Sequence, residues 1–395
     1  MRNEIELPGK LRSKDSKTQR KERLKTKRFE TPSLCVKFIF YILSQPLLNF
    51  SFILLFAGMF MFGSELKDNE DIIIYPSYLY MDSSLKEYKV KIHVHVFEKE
   101  EDSISRKIFI ESIKPLFPSS GEDIDNKFFN ERVKWFLIDN QRRKKVSVNI
   151  LGANYNLQKT EPNGHSTTEI TIPANLIGQE ELKNGIILVY SNITKHNDKK
   201  YSGNIFIIKE NSTCVISDID DTIKISDVRN KKVLLENTFF KPFQPVPGMQ
   251  SAYSQIQKSG TNCFIFVSAS PWQLYSILSD FFQSVNFPPA IYRMKYFRVK
   301  DSDFFNLFEK PDIYKTETIE PIIKELKTIR FILIGDSGEK DPESYGALAR
   351  KYPEQVSKIY IRKAYEENLN ERMLNAFKDI PEDKYHVFTD PKEIK

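Results

Sequence analysis

Val215-Ile216-Ser217-Asp218-Ile219-Asp220-Asp221-Thr222 is an apolar run that ends abruptly in carboxylates. Short apolar runs of this kind read as buried strands of a parallel sheet, and ligands of such sheets gather outside the strands' carboxyl ends. Asp218 and Asp220, spaced i and i+2, lie on one side of an extended backbone, where two like charges need a cation or a shared proton. The pattern points to a metal-assisted site with one nucleophilic and one proton-handling carboxylate. A solvated turn after a strand is the bland reading, and the companions of the motif decide between the two.

Those companions follow in order. Cys263-Phe264-Ile265-Phe266-Val267 is a second apolar run that ends in Ser268 and continues Ala269-Ser270-Pro271-Trp272-Gln273-Leu274-Tyr275. Phe331-Ile332-Leu333-Ile334 is a third and ends in Gly335-Asp336-Ser337-Gly338-Glu339-Lys340-Asp341-Pro342. Between them Lys315 opens an amphipathic segment over 316–328, with Ile319, Ile322, Ile323 and Leu326 on one face. Alternating strands and helices predict a doubly wound α/β domain, each strand delivering a polar residue at its carboxyl end.

This order resembles the haloacid dehalogenase superfamily of phosphohydrolases. Ile-Ser-Asp-Ile-Asp-Asp-Thr-Ile-Lys, Val-Ser-Ala-Ser-Pro-Trp-Gln-Leu-Tyr and Ile-Gly-Asp-Ser-Gly-Glu-Lys-Asp-Pro-Glu resemble, more narrowly, the actin-patch-associated phosphatidate phosphatase family over about 212–394, with a fainter likeness from Leu66 onward. The resemblance implies that Asp218 attacks phosphorus and becomes an aspartyl phosphate, while Asp220 protonates the leaving oxygen and later deprotonates water. It implies a Mg²⁺ ion held by Asp218, the main-chain carbonyl of Asp220, and Asp336. Ser268 and Lys315 would grip the non-bridging oxygens, and Thr222 would orient the Asp220 loop. Lys315 is placed by its position before a helix. Asp341 either supports the metal's ligands or caps the helix that begins near Pro342. Asp221, Asp227 and Ser270 lie near the site without an assigned role.

Composition agrees. The chain has 395 residues, 40% of them hydrophobic, enough for about two domains and an appendage. Three cysteines exclude a disulfide scaffold, and Cys214 and Cys263, inside the first two core strands, read as buried reduced thiols. Much of the net charge of +6 comes from residues 1–33, which hold eleven Lys or Arg against five acids and read as a basic disordered tail. No nucleic-acid partner is expected.

From Phe38 to Gly63 there is no charged residue, and a helix of this length, roughly 39 Å, spans a bilayer. We read 34–64 as a single-pass signal anchor that leaves the tail in the cytosol and the rest on the non-cytosolic side. Signal cleavage, giving a secreted or periplasmic protein, is the alternative.

Residues 65–210 read as a β-rich, sandwich-like accessory domain: Val90, Ile92, Val94 and Val96 alternate with polar residues, as do Val146, Val148 and Ile150. Phe128, Phe129, Val133 and Phe136 mark one helix within it. His93 and His95 share a strand face, either as a metal-binding pair or, more plainly, on an exposed sheet surface. Asn192-Ile193-Thr194 and Asn211-Ser212-Thr213 are glycosylation sequons, meaningful in a eukaryotic secretory lumen.

The expected whole is a membrane-anchored, Mg²⁺-dependent phosphomonoesterase with a catalytic domain over 211–395. By the resemblance it converts phosphatidate to diacylglycerol at a membrane surface. The intervals between Asp218, Ser268 and Asp336 are too short for a large cap, which suits a bulky substrate. Tyr292, Met294, Tyr296 and Phe297, mixed with Arg293, Lys295, Arg298 and Lys300, read either as a lipid-facing patch or as an ordinary amphipathic strand. A phosphatase for proteins or nucleic-acid ends, or a non-catalytic membrane-anchored binding module, are the rival readings.

Overall fold

The run Val215–Asp218 is the centre of a six-stranded sheet, because residues on both of its faces are apolar and both faces are covered. The computed structural model describes residues 63–82, 85–99, 108, 127–191, 199–297 and 313–395. Strands β1 (Glu70–Ile74), β2 (Ser77–Asp82), β3 (Glu87–Glu98), β4 (Asp139–Asn140), β5 (Ser147–Ile150), β6 (Ala153–Asn156), β7 (His165–Pro173), β8 (Ile186–Ser191) and β9 (Ser202–Ile207) come first. They are followed by β10 (Thr213–Asp218), β11 (Cys263–Pro271), β12 (Ile291–Lys295), β13 (Arg330–Asp336), β14 (Val356–Arg362) and β15 (Tyr385–Phe388).

The last six make an all-parallel sheet in the order β12-β11-β10-β13-β14-β15. The strand order therefore reverses beside β10, and β10 and β13 flank the switch point where doubly wound folds bind ligands. Val215 packs on one face with helices α2 (Met249–Lys258) and α3 (Tyr275–Ser284). Cys214 and Ile216 pack on the other with α4 (Tyr314–Glu325), α5 (Asp341–Lys351) and α6 (Asn370–Ala376), α1 (Lys127–Val133) lying earlier in the chain. The expected doubly wound α/β architecture is present.

The first nine strands form one hydrogen-bonded sheet around its own apolar cluster, where two sandwiched sheets were expected. The long strand β3 is responsible, since it pairs with β1 and β2 along one edge and with β7 and β4 along the other. Its Val90, Ile92, Val94 and Val96 point inward as their alternation predicts. The helix marked by Phe129, Val133 and Phe136 forms, and those side chains join the core of the parallel-sheet domain.

Of the remaining expectations some change and others lie outside the described residues. Cys214 and Cys263 are bonded in a disulfide, because they are register partners on adjacent parallel strands with Cα atoms 4.6 Å apart. Tyr292, Met294 and Phe297 are buried in the core, so the ordinary-strand reading holds for them, while Tyr296 is exposed and Arg298 and Lys300 lie outside the described residues. The span 38–63 lies outside them too, apart from Gly63; among the described residues no helix is long and apolar enough to cross a membrane.

Another change concerns the histidines. His93 and His95 face the parallel-sheet domain instead of solvent. His93 packs edge-on against Trp272 at 4.7 Å, and its Nε2 lies 3.0 Å from Nδ1 of His165. His95 stacks on His165 at 4.1 Å and bonds the Asn140 amide oxygen at 2.8 Å. Further along the junction Tyr80 donates to Glu325 at 3.1 Å and buried Arg132 donates to the Thr238 carbonyl at 2.7 Å.

Burial holds all three histidines below the usual imidazole range, His95 down to about 4. The unfolded chain therefore binds more protons than the folded one between about pH 6.5 and 4, and stability falls on acidification through that window. For His95 alone the full effect corresponds to roughly 3 kcal/mol. We expect the melting temperature to drop steeply from pH 7 to about 4.5 and the drop to be smaller in His95→Asn. A melting temperature flat across that range would refute the account.

Candidate active site

At the carboxyl end of β10 the Asp218 side chain is fully buried, and so is Asp336 at the end of β13. Their strands are hydrogen-bonded neighbours in parallel register, which brings the two carboxylates together. Thr222 Oγ1 donates to Asp218 at 3.1 Å and lies 3.5 Å from Asp336. Glu339 completes a trio in which each residue offers an oxygen within 4.8 Å of the others.

Lys315, in the first turn of α4, reaches this trio from the side. Its ammonium is 2.8 Å from Asp218 and 3.2 Å from Glu339, and it also contacts Asp341. Burial alone would lower its pKa, but Asp218, Asp341 and Glu339 outweigh that and hold it well above the usual lysine range. Burial, with Asp341 and Asp218 close by, pushes the Asp336 carboxyl well above its ordinary value. Three carboxylates thus contact one ammonium with Asp336 beside them, a donor set of hard oxygens with unbalanced negative charge. Such a set fits a divalent cation.

Asp341 has both oxygens engaged by the protein. One receives the Lys315 ammonium and the other accepts the Asp336 backbone N–H at 3.0 Å. Gly335 makes this possible, since a Cβ there would overlap the Asp341 carboxylate.

Asp220 sits apart from the trio in its own set of donors. Its Oδ1 is 2.9 Å from the Lys224 ammonium and accepts from Ser226 Oγ at 2.7 Å. Its Oδ2 accepts from Ser268 Oγ at 3.0 Å and Ser270 Oγ at 3.2 Å. Every residue singled out from the sequence, namely Asp218, Asp220, Thr222, Ser268, Lys315, Asp336 and Asp341, is therefore at this one end of the sheet.

Glu339, Lys224 and Ser226 were not read as part of the site, and Ser270 was placed near it without a role. Period-two alternation after Ser268 marks Ser270 as lying on the same face. Lys224 had a signal as well, because a tight turn after Asp220 returns residue i+4 to it; Lys224 N–H donates to the Ile219 carbonyl at 3.0 Å.

Asp221 closes that turn. It adopts a left-handed φ of 54° and accepts from the backbone N–H groups of Ser226, Asp227 and Val228 at 2.8, 2.9 and 2.8 Å. Tyr365 adds a fourth bond at 2.8 Å.

Residues 213–363 match the family model described as "Phosphatidate phosphatase APP1, catalytic domain". Phosphatidate phosphatase APP1 of Saccharomyces cerevisiae is 30% identical over 184 residues, 46% of this chain and 29% of its own length. An uncharacterized protein of Schizosaccharomyces pombe is 32% identical over 167 residues, 42% of this chain and 27% of its own. The match thus spans less than a third of either curated relative. Among solved structures, a Thermotoga maritima chain assigned as a β-phosphoglucomutase aligns with 46% of this chain and 96% of its own at 12% identity. Its TM-score of 0.26 is too low to carry an argument.

Replacing Asp221 by Ala leaves three backbone donors and the Tyr365 hydroxyl without their acceptor. Hydrogen bonds to a charged group contribute about 1.5–3 kcal/mol each, and water recovers part of that here. We expect a loss of about 2–4 kcal/mol in stability, with faster amide exchange at Ser226, Asp227 and Val228. Unchanged protection at those three amides would refute this role.

Proposed function

We propose, from the match of residues 213–363 to the phosphatidate phosphatase APP1 catalytic-domain model, that the chain is a metal-dependent phosphomonoesterase that converts phosphatidate to diacylglycerol and phosphate. The observation that carries the reading is the buried meeting of Asp218, Asp336 and Glu339 with Lys315 at the carboxyl ends of β10 and β13.

Asp218 is the nucleophile. One of its oxygens bonds to phosphorus as the ester bond breaks, leaving an aspartyl phosphate, and the departing glycerol oxygen takes a proton from Asp220. Asp220 then removes a proton from water as that water attacks phosphorus and frees Asp218. Ser268 and Lys315 bind the non-bridging oxygens, and Thr222 orients Asp218. Asp218, Asp336 and Glu339 would hold the ion, Mg²⁺ by the all-oxygen donor set, and it would supply charge neutralisation for the phosphoryl group. Asp341 holds Lys315 in place and does not ligate the ion.

One feature favours a lipid. Ile225 and Ile313 are 42% and 57% exposed, and they lie in the segments that carry Lys224 and Lys315. Exposed apolar side chains this near in sequence to the site residues suit an acyl-bearing substrate. The Cys214–Cys263 disulfide suits an oxidising compartment, in keeping with residues 38–63 as a signal anchor that keeps the enzyme off the cytosolic side.

We expect the purified chain to release phosphate from phosphatidate with Mg²⁺, to lose that activity in chelator, and to lose at least three orders of magnitude in Asp218→Asn with the fold retained. Phosphate release from phosphoproteins but not from phosphatidate would overturn the lipid assignment, and full activity in chelator would overturn the metal. For topology, vesicles with their cytosolic side outward should shield residues 63–395 from added protease; digestion without detergent would refute the orientation.

A further inference from the structure

Lysine is rarely buried, and it persists in a protein interior when a partner offsets its desolvation. Lys224 is 2% exposed, and its ammonium lies 2.9 Å from Asp220 Oδ1, with Ser226 Oγ in contact and the Phe243 ring 5.2 Å away. The backbone leaves it little freedom. Its N–H donates to the Ile219 carbonyl at 3.0 Å and its carbonyl accepts from Asp221 at 2.7 Å. The next residue, Ile225, is tied to the Gln244 carbonyl at 2.9 Å.

Seen from Asp220, the arrangement is lopsided. Lys224, Ser226, Ser268 and Ser270 all give protons toward its carboxylate, from both oxygens. Ser268 is already placed on the phosphoryl oxygens by the reading above, so a bound substrate competes for one of the four. Lys224 and Ser226, on the opposite oxygen, remain. A carboxylate that must face a leaving oxygen and then a water gains from one edge being held, because misplacement of a reacting group by about 1 Å can cost about a hundredfold.

We propose that Lys224 is a positioning residue, which with Ser226 grips Oδ1 of Asp220 and so presents Oδ2 to the leaving oxygen and then to the hydrolytic water. This rests on the phosphomonoesterase reading and names a device within the same site. Lys224 itself touches neither the phosphoryl group nor the ion in this role.

The test uses leaving groups of different proton demand with the full chain. The glycerol alkoxide of short-chain, monomeric phosphatidate needs a proton, whereas the nitrophenolate of p-nitrophenyl phosphate departs without one. Lys224→Met should lower kcat on short-chain phosphatidate by about a hundredfold or more, the scale of general acid-base assistance. The first-turnover burst of nitrophenolate should fall less than about tenfold, and phosphoenzyme should then accumulate, since water activation also uses Asp220. In the Asp220→Asn background Lys224→Met should add little, because residues that act as a unit are non-additive. Lys224→Arg, which keeps a charge, should recover part of the loss. If Lys224→Met fails to fold, Ser226→Ala carries the same comparisons without leaving a buried charge unpaired.

Equal loss on both esters, or a loss that adds fully to that of Asp220→Asn, would overturn the proposal and mark Lys224 as structural or as a phosphate ligand. A wild-type chain inactive on both esters would instead remove the phosphomonoesterase reading, and this inference with it.

Discussion

The Lys315 ammonium, buried among Asp218, Glu339 and Asp341, is the constraint around which the catalytic half is arranged. Carboxylates at the carboxyl ends of two adjacent parallel strands repel each other in a medium that screens poorly, and without compensation such a site would drive them to protonate or unfold. One cation delivered from a helix offsets part of that repulsion. Asp341 fixes the cation on one side and the Asp336 backbone on the other, so it ties α4 and α5 to the end of β13. What charge remains fits a divalent cation among Asp218, Asp336 and Glu339.

The two motif carboxylates are only two residues apart, yet their surroundings are opposite in character. Asp218 meets other acids and the ammonium of Lys315, whereas Asp220 meets an ammonium and three hydroxyls. Paired carboxylates that do different jobs are made different by environment. The turn 219–224 is the mechanical source of the difference, because it folds Lys224 back onto Asp220, and Asp221 stabilises the loop that follows through its bonds to Ser226, Asp227 and Val228.

Much of this was legible in the chain, for physical reasons that also explain the failures. Continuous apolar runs ending in Asp218, Ser268 and Asp336 announce buried parallel strands, and the periodicity of Ile319, Ile322 and Ile323 announces the helix that carries Lys315. Period and polarity are local signals. Glu339 escaped because a carboxylate in a Gly-Glu-Lys loop looks solvated until the loop is seen to curl over the strand end. Cys214 and Cys263 were read as thiols because their pairing depends on register between strands 49 residues apart. His93 and His95 alternate correctly, but a sequence does not say which of two sheet faces meets a second domain. The sandwich expectation failed similarly, since strand alternation is the same whether the strands make two sheets or one.

The junction between the two sheets follows from the same logic of unmatched surface. Strand β3 is apolar on its inner face, but its outer face carries His93 and His95, which gain nothing from burial unless their hydrogen bonds are met. His165 and Asn140 provide those bonds, and Trp272 provides the aromatic wall. Trp272 comes directly after the strand whose Ser268 and Ser270 supply two of the hydroxyls to Asp220. The β-rich sheet therefore packs against Trp272, two residues from Ser270, whose hydroxyl donates to Asp220.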